Sequence, residues 1–378
     1  MTDATTEWSP QQEAALAAVR AWFREARVRR ARCEPFRQVF YLAGFAGTGK
    51  STLARVLASH ARRVCYAAFT GKAALVMRSK GCEGAKTIHS LIYRPVEGAG
   101  ETTFVLSETS DANEADLIVI DECSMVDEEL GTDLLSFGVP VLVIGDPAQL
   151  PPVKGAGFFT SREPDVMLTE VHRQARDNPI IRMSMDVREG RRLALGAYGD
   201  SKVILREDVD RAEVLASDQL LVGKNATRRS YNARIRELRG FKPDVPAIGD
   251  RLVCLKNERR KGLLNGSLWN VVDVPPKVKP RDRRHALMIV PSDDVEAQPR
   301  LVLVHKAYFL GEDDKLSKEV AKGSSAFDFG YALTVHKSQG SQWDKVYLFD
   351  ESRIFGRNAM NHLYTAITRA AKTITIVR

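Results

Sequence analysis

The sequence predicts an α/β protein of two lobes, each a parallel sheet with helices on both faces, with a small β-hairpin insertion and a small β-barrel insertion. Three observations carry this. Short apolar runs that end in polar residues alternate with helical stretches, first through residues 39–152 and again on both sides of a later β-rich stretch. Between Tyr93 and Ala115 the text turns polar and glycine-bearing, as "RPVEGAGETTFVLSETSDANE". From about Gly249 to Ser324 the helical pattern lapses into "RLVCL", "LWNVVDV", "HALMIV" and "RLVLVH", divided by turn residues and basic clusters. The expected boundaries are 1–152 for the first lobe, with an insertion over about 94–115. The second lobe is expected over 153–248 and 325–378, interrupted by the small β-barrel-like unit at 249–324.

Each element follows from local pattern. Pro10 to Ala31 places Leu16, Val19, Phe23 and Ala26 at helical spacing, with Ser9 as N-cap. Val39 to Ala43 is an apolar strand, followed by a glycine loop and by "STLARVLASHARR", which has helical periodicity. The same strand-then-polar pattern recurs in "VCYAAF", "LIVI" and "VPVLVIG", and "SDQLLVGKNATRRSYNARIREL" reads as strand then helix. Such alternation puts ligands at the carboxyl ends of the strands. The "TTFVL" run within the polar segment is one arm of a hairpin.

With 378 residues, 28% charged and 44% apolar, the chain has the composition of a globular protein of more than one domain. The N-terminal text lacks a basic region followed by an apolar core, and a cytoplasmic location with no membrane partner is expected. The cysteines, Cys33, Cys65, Cys82, Cys123 and Cys254, are widely spaced and form no CxxC pair, which argues against zinc. A formal charge of +8 favours a polyanionic partner such as nucleic acid.

Gly44 to Ser51 matches G-x-x-x-x-G-K-[ST] between a predicted strand and helix. In such a loop Gly44, Gly47, Thr48 and Gly49 let the backbone wrap a β-phosphate. Lys50 offsets phosphate charge, Ser51 offers a hydroxyl to Mg²⁺, and Thr52 follows in the first helical turn. "LIVIDECSM" puts Asp121 and Glu122 at the end of a buried strand, the first suited to hold Mg²⁺ and the second to polarise an attacking water. Together these signals indicate hydrolysis of a nucleotide such as ATP. Gln149 in "VIGDPAQLPPV" is placed to sense the γ-phosphate, and Arg173 and Arg369 are candidates to stabilise the transferred phosphoryl group.

Nearly end to end, these strings resemble superfamily 1 DNA helicases of the RecD/Dda-like group, in the compact phage-type form. "WSPQQEAAL" resembles the adenine-reading Q motif with Gln12 at its key position, and "GFAGTGKST" resembles motif I. "AAFTGKAA" and "AKTIHSLIY" resemble strand-gripping motifs, which implies DNA contacts for Thr70, Lys72, Thr87 and His89. "VIDECSMVD", "GDPAQLPPV", "VHRQA", "ALTVHKSQGSQWDKV" and "LYTAITRAAKTITIV" are similar to motifs II to VI. The resemblance implies that Thr334 and His336 touch DNA and that Gly340 and Gln342 approach the nucleotide, although relatives often carry glutamate where Gln342 stands. His89 and His336 are equally readable as satisfied core residues.

The resemblance further implies two RecA-like lobes that close on ATP and Mg²⁺, and 5′→3′ movement on single-stranded DNA with unwinding of forked or tailed duplex. The hairpin becomes a strand-splitting pin with Phe104 at the fork, and a monomer is the working expectation. Two other readings stay open at this level: a DNA-binding ATPase clamp or loader that switches without translocating, and a helicase subunit of a nuclease complex.

Overall fold

The computed structural model describes residues 8–59, 61–97, 102–152, 157–170, 177–258, 261–276, 283–292, 294 and 296–378. The chain forms two compact units, one comprising Met1–Phe69 and Ala73–Arg191, the other Thr70–Lys72 and Arg192–Arg378.

In the first unit the strands are β1 (Val39–Gly44), β2 (Val64–Ala68), β3 (Lys86–Thr87), β4 (Tyr93–Glu97), β5 (Thr102–Leu106), β6 (Leu117–Asp121), β7 (Val141–Gly145) and β8 (Val166–Leu168). Six of them form a parallel sheet in the order β3-β2-β6-β7-β1-β8, and β4 pairs with β5 in a separate antiparallel hairpin. The period-2 alternation of a strand divides the side chains between two cores. Tyr41, Ile118, Ile120, Val141 and Val143 pack on one face with the helices Ile88–Ile92 and Glu128–Leu135. Phe40, Leu42, Val119, Leu142 and Ile144 pack on the other with the helices Pro10–Ala31 and Lys50–Ala58. Continuous apolar runs such as "LIVI" are what a strand buried on both faces requires.

Two boundaries differ from the sequence reading. The first unit runs past residue 152, because β8 adds a sixth strand whose Val166 lies opposite Leu42 of β1. The hairpin also stops short of 115: Ser110 donates to the Leu91 carbonyl at 2.5 Å, and Ala112 is fully buried. Ser110, Ala112 and Ala115 therefore belong to the core of the unit.

In the second unit the strands are β9 (Gly196–Tyr198), β10 (Ser201–Ile204), β11 (Gln219–Val222), β12 (Arg251–Cys254), β13 (Leu268–Asp273), β14 (Arg284–Pro291), β15 (Arg300–His305), β16 (Phe327–Phe329), β17 (Ala332–Thr334), β18 (Trp343–Phe349) and β19 (Ala370–Val377). One sheet has the order β17-β11-β18-β19-β10-β9, parallel except for the β9–β10 pair. In place of the barrel expected at 249–324 there is a five-stranded antiparallel sheet in the order β15-β14-β13-β12-β16, whose last strand lies beyond 324. One core joins the two sheets, with Leu220, Val222 and Tyr347 packed among Leu252, Trp269, Leu287, Val302 and Phe327. Gly330 sits where β16 passes into β17; a side chain there would come within 2.9 Å of the Leu252 backbone, so only glycine fits.

Candidate nucleotide site

The lead-in helix brings Gln12 to the glycine loop. Ser9 Oγ accepts from Gln12 N at 3.3 Å and Gln12 Oε1 accepts from Ser9 N at 3.1 Å, a reciprocal cap that fixes the side chain. Its Nε2 then donates to the Thr48 carbonyl at 3.0 Å. The neighbouring Gln11, which sequence reasoning did not select, accepts from Thr169 N and Glu170 N, both at 2.9 Å, just past β8. No local pattern marks Gln11, because its partners lie far along the chain.

The loop between β1 and the helix Lys50–Ala58 has the backbone a phosphate cradle needs. Gly47 and Gly49 adopt φ of 79° and 81°, a region side-chain-bearing residues avoid. At Gly44 a side chain would lie 2.7 Å from Thr48 Oγ1 and 2.8 Å from Leu168 Cβ. Thr48 is buried and its hydroxyl donates to the Phe45 carbonyl at 2.8 Å. Lys50 Nζ donates to that same carbonyl at 2.7 Å, so the ammonium is folded over the loop it serves. Thr52 is exposed, with its amide bonded to the Gly49 carbonyl at 3.1 Å. Arg188 places its guanidinium carbon 3.7 Å from the Phe45 ring centroid, a cation beside the loop that no motif signalled.

Asp121 ends β6, and its Oδ1 accepts from Glu122 N at 2.8 Å. Glu122 adopts φ 55° and ψ 45°, a left-handed conformation that costs a non-glycine residue about 1 kcal/mol and recurs at functional sites. Past the end of β7, Asp146 is buried and caps the turn through Ala148 N at 3.0 Å, and Gln149 N donates to the Asp146 carbonyl at 3.1 Å. The loop, the acidic pair and Gln149 thus all follow carboxyl ends of strands in one parallel sheet. Left-handed glycines, a helix N-terminus and a lysine fit a nucleotide triphosphate, and the carboxylate of Asp121 fits a divalent cation. Lys50 would bind the phosphates of ATP, Ser51 and Asp121 would hold Mg²⁺, which would offset phosphate charge, and Glu122 would orient water.

The residues expected to touch nucleic acid fall in both units. Thr87 is buried and caps the helix Ile88–Ile92 through Ser90 N at 3.1 Å, while His89 is exposed with its ring 6.2 Å from Phe69 and 5.7 Å from Tyr93. Thr70 is half-buried, and Lys72 Nζ lies 4.7 Å from the Trp343 ring centroid. Phe104 is 62% exposed on β5. Tyr93, at the root of the hairpin, donates its hydroxyl to Asp133 Oδ2 at 2.5 Å. This residue was also missed by the sequence reading.

In the second unit Thr334 is buried and caps the turn Val335–Ser338 through Lys337 N at 3.3 Å. His336 is half-buried, 5.4 Å from the Phe355 ring, and burial lowers its pKa. Gly340 has φ 73° and Gln342 is exposed. Arg369 is buried, donating to Thr365 O at 3.0 Å, Ser341 O at 3.2 Å and Thr368 Oγ1 at 3.2 Å. Arg173 lies outside the described residues. Among the described residues no group of three or more metal-binding side chains occurs, and no helix is long and apolar enough to cross a membrane.

Comparison with known proteins agrees with this geometry. Residues 26–208 match the family model of an AAA domain, and residues 329–377 match that of the UvrD-like helicase C-terminal domain. The ATP-dependent RecD2 DNA helicase of Deinococcus radiodurans is 29% identical over 366 residues, covering 87% of this chain and 45% of that protein. The ATP-dependent DNA helicase Dda of phage T4 is 32% identical over 165 residues, 39% of this chain and 37% of that one. This chain thus spans less than half the length of either relative. Pif1 helicase of Candida albicans superposes with a TM-score of 0.56 at 19% identity, covering 99% of this chain and 95% of that one. A Pif1 structure concerned with unwinding of forked duplex gives 0.57 at 17% identity, over 98% and 92%. Together these matches support a superfamily 1 helicase of RecD/Pif1-like type.

Proposed function

We propose that this protein is an ATP-dependent DNA helicase that moves 5′→3′ on single-stranded DNA and unwinds tailed or forked duplex. Its cofactors are ATP and Mg²⁺. The observation that carries the reading is the alignment of Lys50, Asp121, Glu122 and Gln149 past the carboxyl ends of β1, β6 and β7 of one sheet. Likeness to helicase families, a net charge of +8 and the exposed aromatic Phe104 on a hairpin add support. In this reading Gln12, Gly340 and Gln342 contact the nucleotide, and Arg173 and Arg369 offset charge on the transferred phosphoryl group. Thr70, Lys72, Thr87, His89, Thr334 and His336 grip the strand. Grip of this kind combines phosphate contacts with stacking and weakens as salt rises.

The test compares duplexes bearing a 5′ or a 3′ single-stranded tail, with ATPase measured in parallel. Single-stranded DNA should stimulate hydrolysis strongly, and only the 5′-tailed duplex should be opened. Preference for the 3′ tail would refute the direction. DNA-stimulated hydrolysis without opening of either duplex would favour the clamp or loader.

A further inference from the structure

A cleft of about 480 Å³ opens in the second unit, where β17 begins and β12 meets β13. Its walls include Arg239, Ile248, Arg251, Asn270, Val272 and Tyr331. The volume is that of a ligand pocket, and none of these residues has a part in the nucleotide or strand-gripping chemistry.

The charge in the cleft is not balanced by its surroundings. Arg239 lies with its guanidinium carbon 4.9 Å from the Tyr331 ring centroid and forms no ion pair among the described residues. Arg251 donates Nη1 to the Asp218 carbonyl and likewise has no carboxylate partner among them. Burial, then the charge of Arg239, lowers the pKa of Arg251 against weaker opposing pulls from Tyr331 and Asp218, so the two cations feel one another. The neighbouring carboxylates are already engaged. Asp250 accepts from Arg236 Nε and Nη2, each at 2.9 Å, and from the Tyr331 hydroxyl at 2.9 Å. Asp218 Oδ2 accepts from Lys345 N at 2.8 Å. Beside the cations lie apolar side chains open to water: Ile248 is 59% exposed and Val272 39%.

We propose that this cleft docks an acidic, partly apolar peptide segment of a partner protein, its carboxylates on Arg239 and Arg251 and an apolar side chain against Ile248 and Val272. A nucleic-acid strand fits less well. The Tyr331 ring is already covered by Arg239 and offers no face for base stacking, and a phosphodiester gains nothing from exposed aliphatic walls. An acidic peptide satisfies both halves of the cleft, since planar guanidinium groups pair with carboxylates in two-pronged geometry.

The experiment measures fluorescence anisotropy of a labelled octapeptide of alternating Asp and Leu, titrated with the full chain. Controls are the same peptide with Asn for Asp and a labelled oligo-dT. The Asp-Leu peptide should bind saturably and more weakly as salt rises, while the Asn peptide should not bind. Arg239→Glu and Ile248→Ser, both at exposed positions, should each weaken the peptide by about tenfold or more. Both should leave oligo-dT affinity and DNA-stimulated ATPase unchanged. Absence of peptide binding, or equal binding by wild type and Arg239→Glu, overturns the proposal. Equal loss of oligo-dT affinity in Arg239→Glu overturns it in favour of a nucleic-acid contact.

Discussion

Glu122 combines two properties that point the same way: it follows a strand-end carboxylate, and its backbone sits in the left-handed region. The Asp121 side chain holds that conformation by accepting from the Glu122 amide. Glu122→Gln preserves shape and backbone while removing the base, so hydrolysis should fall by about 10²-fold or more with ATP and DNA binding kept. Near-normal turnover in this variant would remove Glu122 from its role. His362 presents the opposite case, a buried residue with no task in hydrolysis. It is fully buried, stacked 4.2 Å from the Phe355 ring, and neither ring nitrogen has a hydrogen-bond partner among the described residues. Burial, then the charge of His336, holds its pKa down to about 4, against weaker opposing pulls from Asp350 and Glu351. The unfolded chain therefore takes up a proton first as pH falls below about 6.5, and stability drains by up to about 3 kcal/mol between there and pH 4. His362→Leu should raise the melting temperature at neutral pH and flatten that acid limb. An acid limb of unchanged steepness would show that other groups control it.

At the scale of elements, the hairpin β4–β5 is tied to its lobe through Tyr93, whose hydroxyl bonds Asp133 on the helix Glu128–Leu135, the helix that follows the acidic pair. Phe104 stands exposed on the other strand, opposite Pro95. Phe104→Ala should leave melting temperature and DNA-stimulated ATPase unchanged while slowing unwinding about tenfold, the worth of one stacked base. Tyr93→Phe, which deletes one hydroxyl, should also cut unwinding more than ATPase. Parallel loss of both activities in Phe104→Ala would remove the hairpin from strand separation. The hairpin was legible in the sequence because "TTFVL" is a β-prone run inside a polar segment, whereas its end was not, because Ala112 and Ala115 become core only by packing. The strands β1, β6 and β7 were legible as apolar runs with polar ends. β8 was not: three residues carry no periodicity, and its partner Leu42 is remote in sequence. Motif spacing therefore located the phosphate loop and acidic pair, while Gln11, Tyr93 and Arg188 needed the fold to bring them to their partners.

Across the whole molecule, each unit carries its own core, and the second is fastened by a buried charge pair. Arg236 and Asp250 are both fully buried; Asp250 also accepts from Ala247 N at 2.7 Å and from Tyr331, and Arg236 lies 3.8 Å from the Phe329 ring. Arg236 comes from the helix Asn225–Leu238 and Asp250 from the residue just before β12, so the pair locks the antiparallel sheet to the α/β part of its unit. Such a pair contributes little against an apolar replacement, but removing one partner leaves a bare buried charge and costs about 3–5 kcal/mol. Asp250→Asn retains size and some hydrogen bonding while cancelling the charge. Separate cores permit separate unfolding steps, so calorimetry of the wild type should resolve two transitions. Asp250→Asn should lower one of them by several degrees and leave the other in place. A non-hydrolysed ATP analogue with Mg²⁺ should raise the transition that Asp250→Asn leaves alone, because the phosphate loop belongs to the first unit. If the substitution displaced both transitions equally, the two units would be folding as one, and the ion pair would report on the whole chain instead of on its second half.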